Sequence, residues 1–204
     1  MREKLKILAL SGSPCRQSFN RLILQTAMRS AEKAGAEVTL VDLRALPMPI
    51  YSPDDEERSG LDGNALELQR LLSKHDGFLI ASPEYNGSIT GILKNAIDWA
   101  SRPSEKYPRS KVFQGKFAAI MTASPGSFGG VRSLSHLRAV LTSVGVYVLP
   151  TEVAVPFVAG KFAGDGEEMT DEKAKTTLEN LATSLVEVAS KTRVKNDFAI
   201  GANS

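Results

Sequence analysis

A single cysteine, Cys15, in a chain of 204 residues has no second thiol to pair with. That excludes an intrachain disulfide framework and a multi-cysteine metal site, and it suits a reducing compartment. Histidine is nearly as scarce: His75 and His136 are the only two, and neither has a carboxylate at catalytic or metal-ligand spacing. Both are assigned surface or capping roles, and no metal site is expected. A charge excess of either sign is also missing. The 25 Lys and Arg face 23 Asp and Glu for a net +2, with no basic block that would mark a nucleic-acid partner. The apolar run Ile7 to Leu10 is too short for a signal-peptide core or a membrane span, and no other stretch approaches about 18 apolar residues. A soluble, cytoplasmic protein without membrane insertion is expected. Apolar content of 42% over this length suits one domain with a sizeable core, expected over residues 1–190 with a polar tail over 191–204.

What the chain does contain is an alternation of strand and helix signals. Leu5 to Leu10 reads as a buried strand that ends at Ser11-Gly12. From Asn20, Ile23, Ala27, Ala31 and Ala34 recur at helical spacing until Gly35. Glu37 to Asp42 is a second strand, leaving into a loop with Pro47, Pro49 and Pro53, after which Asp54 to Arg58 reads as a solvated acidic turn. A helix over 64–75, a strand over 78–81, and a helix from Ile89 to Ala100 with Ser88 as its cap follow. Strands over 117–123 and 146–149 alternate with a helix over 131–144, and a last helix opens at Thr170. Five strands joined through helices predict a doubly wound parallel sheet, because each parallel crossover needs a helix.

In such sheets ligands sit beyond the carboxyl ends of the strands, where strand order reverses. Three loops there carry unusual residues. The first gathers the hydroxyls of Ser11, Ser13 and Ser18, the Arg16 guanidinium, Gln17, and the free N–H groups of a helix starting near Phe19 and Asn20. A phosphate dianion calls for that mixture of donors, fixed charge and helix dipole. A serine-rich turn that only caps a helix reads the same way. The loop is neither a Walker A motif nor a Gly-x-Gly-x-x-Gly fingerprint, which disfavours ATP and a Rossmann-bound dinucleotide. The second loop, Pro83, Glu84, Tyr85, Asn86 and Gly87, offers backbone groups and an aromatic ring to a flat ligand. The third, Ser124-Pro-Gly-Ser-Phe-Gly-Gly130, places Gly126, Gly129 and Gly130 where amides can line a planar edge, or where a turn is merely flexible.

Taken together, the loops resemble those of the NADPH-dependent FMN reductase family, which includes bacterial quinone, azo-dye and chromate reductases. The match lies in Gly12-Ser13 through Arg16-Gln-Ser18-Phe-Asn20, in Ser82-Pro-Glu-Tyr-Asn-Gly-Ser-Ile-Thr-Gly91 running into Leu93-Lys-Asn-Ala-Ile-Asp-Trp99, and in Gly115-Lys with Gly129-Gly-Val-Arg132. The resemblance implies a flavodoxin-like three-layer sandwich with a five-stranded sheet of order 2-1-3-4-5. It places the FMN phosphate in the first loop and the isoalloxazine ring against the other two, with backbone amides of Ser124 to Gly130 near its N1 and O2. It further implies a homodimer or homotetramer.

The implied chemistry is hydride transfer from NADPH or NADH to flavin N5, then reduction of a small-molecule acceptor such as a quinone, azo compound or free flavin by a ping-pong mechanism. No catalytic side chain is needed, because the cofactor carries the reaction. The alternative is a flavodoxin-like electron carrier without its own substrate; such carriers are typically acidic, whereas this chain is slightly basic. A non-catalytic domain that keeps the fold is a third reading. Cys15, beside Arg16 and a helix start, reads either as a redox-sensitive thiol or as a passive loop residue. Lys94 reads as an exposed helix lysine, and Asp98 and Trp99 as core or subunit-contact residues.

Overall fold

Apolar runs that stop at serine or proline build the sheet. The computed structural model describes residues 3–164 and 168–196. In it β1 (Lys6–Ser11), β2 (Glu37–Asp42), β3 (Gly77–Ala81), β4 (Phe117–Ala123) and β5 (Tyr147–Val148) pair in parallel in the order β2-β1-β3-β4-β5. This is the flavodoxin-like order that the family resemblance implies. The register sets Ser11 beside Ala81 and Ala81 beside Met121, so the central strands deliver their following loops to one edge. The chain turns outward from β1 to β2 and returns to β3, which puts the switch point between β1 and β3.

The fifth strand departs from expectation. It is split: after β5 the chain leaves the sheet around Pro150 and returns as β6 (Val153–Val155), parallel to the end of β4. Proline lacks the N–H that an unbroken strand would donate. Arg138 holds the break, with Nη2 donating to the Leu149 carbonyl at 2.9 Å and to Glu152 at 2.8 Å. Among the described residues the sheet therefore has six strands.

Around it lie α1 (Phe19–Lys33), α2 (Pro53–Ser59), α3 (Gly63–Ser73), α4 (Gly91–Ala100), α5 (Val131–Ser143) and α6 (Glu172–Asn196). Alternation along each strand divides the core. Ile7, Ala9, Leu79, Ala119 and Met121 pack on Ile23, Leu24 and Ala27 of α1 and Leu178, Leu181 and Leu185 of α6. Leu8, Leu10, Phe78, Ile80 and Ile120 meet Leu72 of α3, Leu93 and Ala96 of α4, and Leu134 and Leu137 of α5. The last helix runs to Asn196, past the expected domain limit at 190; the rest of the expected tail, 197–204, lies outside the described residues.

Residues 54–58, expected as a turn, belong to α2. Ser52 caps it, Pro53 opens it, and Asp54, Asp55 and Glu56 fill its first turn, all helix-start signals. Glu56 pairs with Arg102 at 2.8 Å, while Asn95 and the buried Trp99 of α4 both donate to the Pro49 carbonyl at 2.8 Å. The proline-rich segment is thereby strapped to α4. Trp99 is a core residue, and Lys94 pairs with Asp98 on the exposed face.

His75 is a capping residue, its Nδ1 2.7 Å from the Leu71 carbonyl. Nearby, burial lowers the Lys116 ammonium from 10.5 to about 8, against the opposing pull of Asp76. Between about pH 8 and 10.5 the unfolded chain keeps a proton that the folded chain has released, so this group adds stability as pH rises through that window. We expect the stability of wild type relative to Lys116→Met to increase by about 2 kcal/mol from pH 8 to pH 10, since a proton held by one state and not the other is worth roughly 1.4 kcal/mol for each pH step of one. Urea unfolding of both proteins at each pH measures it; parallel pH profiles would refute it.

Candidate functional site

The three loops singled out in the sequence lie together at the carboxyl edge, and each is tied to the other two. The first and second are joined through Gly12: its N–H donates to the Ala81 carbonyl at 2.8 Å, and its carbonyl accepts from the Thr90 hydroxyl. A Cβ on Gly12 would lie 3.0 Å from Leu93, so the loops touch backbone to side chain. The first and third are joined by Asn20. Its Nδ2 donates to the Ala123 carbonyl and its Oδ1 accepts from the Ala123 N–H, both at 2.9 Å and both buried. The second and third are joined by Glu84, whose carboxylate accepts from the Arg132 N–H at 3.1 Å and from Arg132 Nε at 2.7 Å.

In the first loop Ser11 ends β1 and is buried, and the buried Ser13 hydroxyl accepts from the Cys15 N–H at 3.3 Å. Ser18 caps α1 through the Arg21 N–H, the role the alternative sequence reading gives it. Arg16 and Gln17 are exposed at the tip, and Phe19 is half-buried at the first helical position. Among the described residues the N–H groups from Arg16 to Asn20 have no acceptor within the chain, and the Arg16 guanidinium has no partner. Arg21, by contrast, is neutralised by Asp42 at 2.9 Å. The Asp42 carboxyl is held below its ordinary value by hydrogen bonds from Arg44, with Arg21 adding to the effect. Arg16 is thus the cation left over for a ligand. A cleft of about 650 Å³ opens here between the first turns of α1 and residues 159–164. Consecutive amides at a helix start beside an unpaired arginine fit a phosphate group.

In the second loop the half-buried Pro83 leads to Glu84, whose side chain is committed to Arg132. Tyr85 and Ser88 exchange backbone hydrogen bonds at 2.9 and 3.0 Å around Asn86 (φ 51°) and Gly87 (φ 80°). Two positive φ angles in a two-residue connection make a type I′ hairpin turn, for which Asn-Gly is the preferred pair. Ser88, expected as the cap of the following helix, closes this hairpin instead; Thr90 caps α4 by accepting from the Leu93 N–H. The hairpin leaves Tyr85 half-exposed, and His136 reaches Ser88 Oγ at 2.9 Å.

In the third loop Ser124 and Gly126 are anchored: the Ser124 N–H donates to the Val155 carbonyl at 3.1 Å, and the Gly126 N–H to Ser124 Oγ at 3.1 Å. Gly129 and Gly130 have positive φ, and each is packed against protein: a Cβ on Gly129 would lie 2.7 Å from the Pro156 nitrogen, and one on Gly130 would strike the Thr122 hydroxyl. These two glycines are required by the fold of the loop itself, whatever it binds. The amides of Ser127, Phe128 and Gly130 have no acceptor within the chain among the described residues, which suits a carbonyl-bearing planar edge.

Sequence reasoning places Thr90 and Arg132 in the family-like motifs without giving either a role, and passes over the segment after β6. Thr-Gly at a helix start is a capping signal that could have revealed Thr90. Nothing local reveals the partner of Arg132, which is 48 positions away. The segment after β6 includes Phe157, exposed, at φ 49°, with its N–H on the Gly126 carbonyl.

Comparison with known proteins identifies the family. Residues 5–160 match the model of the family described as NADPH-dependent FMN reductase. The chain is 36% identical over 180 residues to an NAD(P)H-dependent FMN reductase of Pseudomonas aeruginosa, covering 88% of this chain and 92% of that one. It is 34% identical over 153 residues to a quinone reductase of Escherichia coli, covering 73% and 76%. Among solved structures, the flavoenzyme NAD(P)H:(acceptor) oxidoreductase of Paracoccus denitrificans superposes with a TM-score of 0.77 at 28% identity, over 92% of this chain and 98% of that one. A family match that spans all three tied loops, over the strand order in which they meet, places the chain in the NADPH-dependent FMN reductase family.

Proposed function

We propose that Arg16 and the amides from Arg16 to Asn20 hold the phosphate of FMN, with the ring against Pro83 to Gly87 and Ser124 to Gly130. The observation that carries this reading is the five consecutive unpaired amides beside the one unpaired arginine of the first loop. The chain is an FMN-dependent NAD(P)H oxidoreductase. FMN supplies the two-electron chemistry when bound. The protein's part is placement: Asn20, Thr90 and Glu84 fix the three loops, and the Ser127, Phe128 and Gly130 amides offer donors to the negative charge that develops on reduction. Tyr85, 47% exposed, and Phe128, 69% exposed, are the aromatic side chains of the second and third loops that would lie beside NADPH or NADH and beside the acceptor. Quinones are the acceptor class we put first, the class named in the Escherichia coli relative.

We further read the protein as one FMN-binding domain, cytoplasmic, and a homodimer or homotetramer. Exposed Tyr85, Phe128 and Phe157 support the assembly as apolar surface for a second subunit, and the lone exposed Cys15 suits a reducing compartment. Among the described residues no helix is long and apolar enough to cross a membrane.

Arg16→Ala tests the phosphate assignment. The expected loss is about 1.5–3 kcal/mol of FMN affinity, the scale of a charged hydrogen bond, so Kd rises roughly tenfold to a hundredfold or more in a fluorescence titration. Unchanged affinity would place the phosphate elsewhere. For the catalytic cycle, initial rates with NADPH and a quinone are expected to give parallel double-reciprocal lines; intersecting lines would rule out one face used alternately.

A further inference from the structure

Of the three ties between the loops, that from Glu84 to Arg132 is the charged one, and its two ends are unequally solvated. The Glu84 side chain is only 9% exposed, whereas that of Arg132 is 67% exposed. The carboxylate accepts both a backbone and a guanidinium N–H from Arg132, the second residue of α5, which follows Gly130. The guanidinium also lies 5.8 Å from the Phe128 ring centroid, so the same residue reaches the third loop. A neutral hydrogen-bonding pair would join the loops with less risk, since a buried carboxylate that loses its partner is an uncompensated charge.

We propose that Glu84 and Arg132 form a positioning pair for bound FMN whose mutual charge balance sets the flavin's reduction potential. The proposal rests on the placement of the ring against Pro83 to Gly87. Reduction by two electrons with uptake of one proton places one negative charge at the ring. Glu84 alone would oppose that charge from a poorly solvated position; Arg132 cancels the opposition while holding the Pro83–Gly87 loop to the start of α5. Neither side chain exchanges electrons or protons with the substrate in this role.

The experiment is an anaerobic dye-coupled titration of the FMN-loaded wild type and of Glu84→Gln, Arg132→Gln, Arg132→Lys and the double Gln variant. Glu84→Gln is expected to raise the potential, because it leaves the Arg132 cation without its counter-charge beside the ring-bearing loops. Arg132→Gln is expected to lower it, and by more, because the charge it leaves is the buried one. Arg132→Lys and the double variant stay close to wild type. Shifts of the same sign in both single variants, or no shift in either, would overturn the proposal and leave a purely structural contact. Urea unfolding of the flavin-free proteins gives a second reading. Arg132→Gln is expected to be less stable than the double variant, since only the single variant strands a buried carboxylate; additive losses would overturn the proposal. A wild type that takes up no FMN would overturn the function reading as well. When the wild type takes up FMN and is bleached by NADPH, a failure of the expected shifts counts against the pair alone.

Discussion

Asn20→Ala is expected to lower stability by about 3 kcal/mol, because the Ala123 N–H and carbonyl it leaves behind are buried and each unmet group costs about 1–3 kcal/mol. Asn20 itself is 3% exposed, with both halves of its amide used on Ala123 at 2.9 Å. For a chain of this size the loss corresponds to a fall in Tm of about 6–12 °C. Asn20→Asp tests the geometry further: an ionised carboxylate still accepts from the Ala123 N–H but has no donor for the Ala123 carbonyl, so two oxygens face each other. Thermal unfolding of both variants measures the effect, and Tm values within about 2 °C of wild type, the equivalent of less than about 1 kcal/mol, would show that the clamp contributes nothing. FMN affinity should fall in parallel, because the clamp sets the start of α1 against the end of β4.

Gly130→Ala is the second large effect. At φ 89° an L residue is strained, and the new Cβ would strike the Thr122 hydroxyl and lie 3.3 Å from its Cγ2. Strain and overpacking together are expected to cost about 2–4 kcal/mol. The Thr122 hydroxyl is buried and, among the described residues, without a hydrogen-bond partner. Thr122→Ala should therefore be well tolerated, and in combination with Gly130→Ala it should recover the overpacking part of the loss while the backbone strain persists. Chemical denaturation of the two single variants and the double variant separates these contributions; simple additivity would contradict the packing argument. A bulky substitution here disturbs flavin binding through the loop's own fold, so it reports on architecture before it reports on ring contact.

Much of this organisation is legible in the residues. Apolar alternation and helical spacing give the layers, and the family resemblance of the loops supplies the strand order that sets them at the switch point. The signals for α2 are also in plain view, Ser52-Pro53 followed by three acidic residues. Yet no residue of that helix is buried, so its apolar pattern is silent. By contrast β6 is three residues long and exists through pairing with β4, some 30 positions away, which local pattern cannot convey. The same holds for the site. The composition of the loops is readable, but the hydrogen bonds of Asn20 to Ala123, 103 positions on, and of Glu84 to Arg132, which hold the loops together, are not. Gly129 and Gly130 likewise owe their identity to Val155, Pro156 and Thr122.

The central claim is that this edge of the sheet holds FMN and opens it to a nicotinamide donor. Its most direct test is the visible spectrum of protein loaded with FMN, washed free of excess, and mixed anaerobically with NADPH. The expected result is retained yellow colour that bleaches on addition of NADPH and returns when a quinone is added. A colourless washed protein would contradict the site, and retained colour that neither NADPH nor NADH bleaches would contradict the reductase and point to an electron carrier.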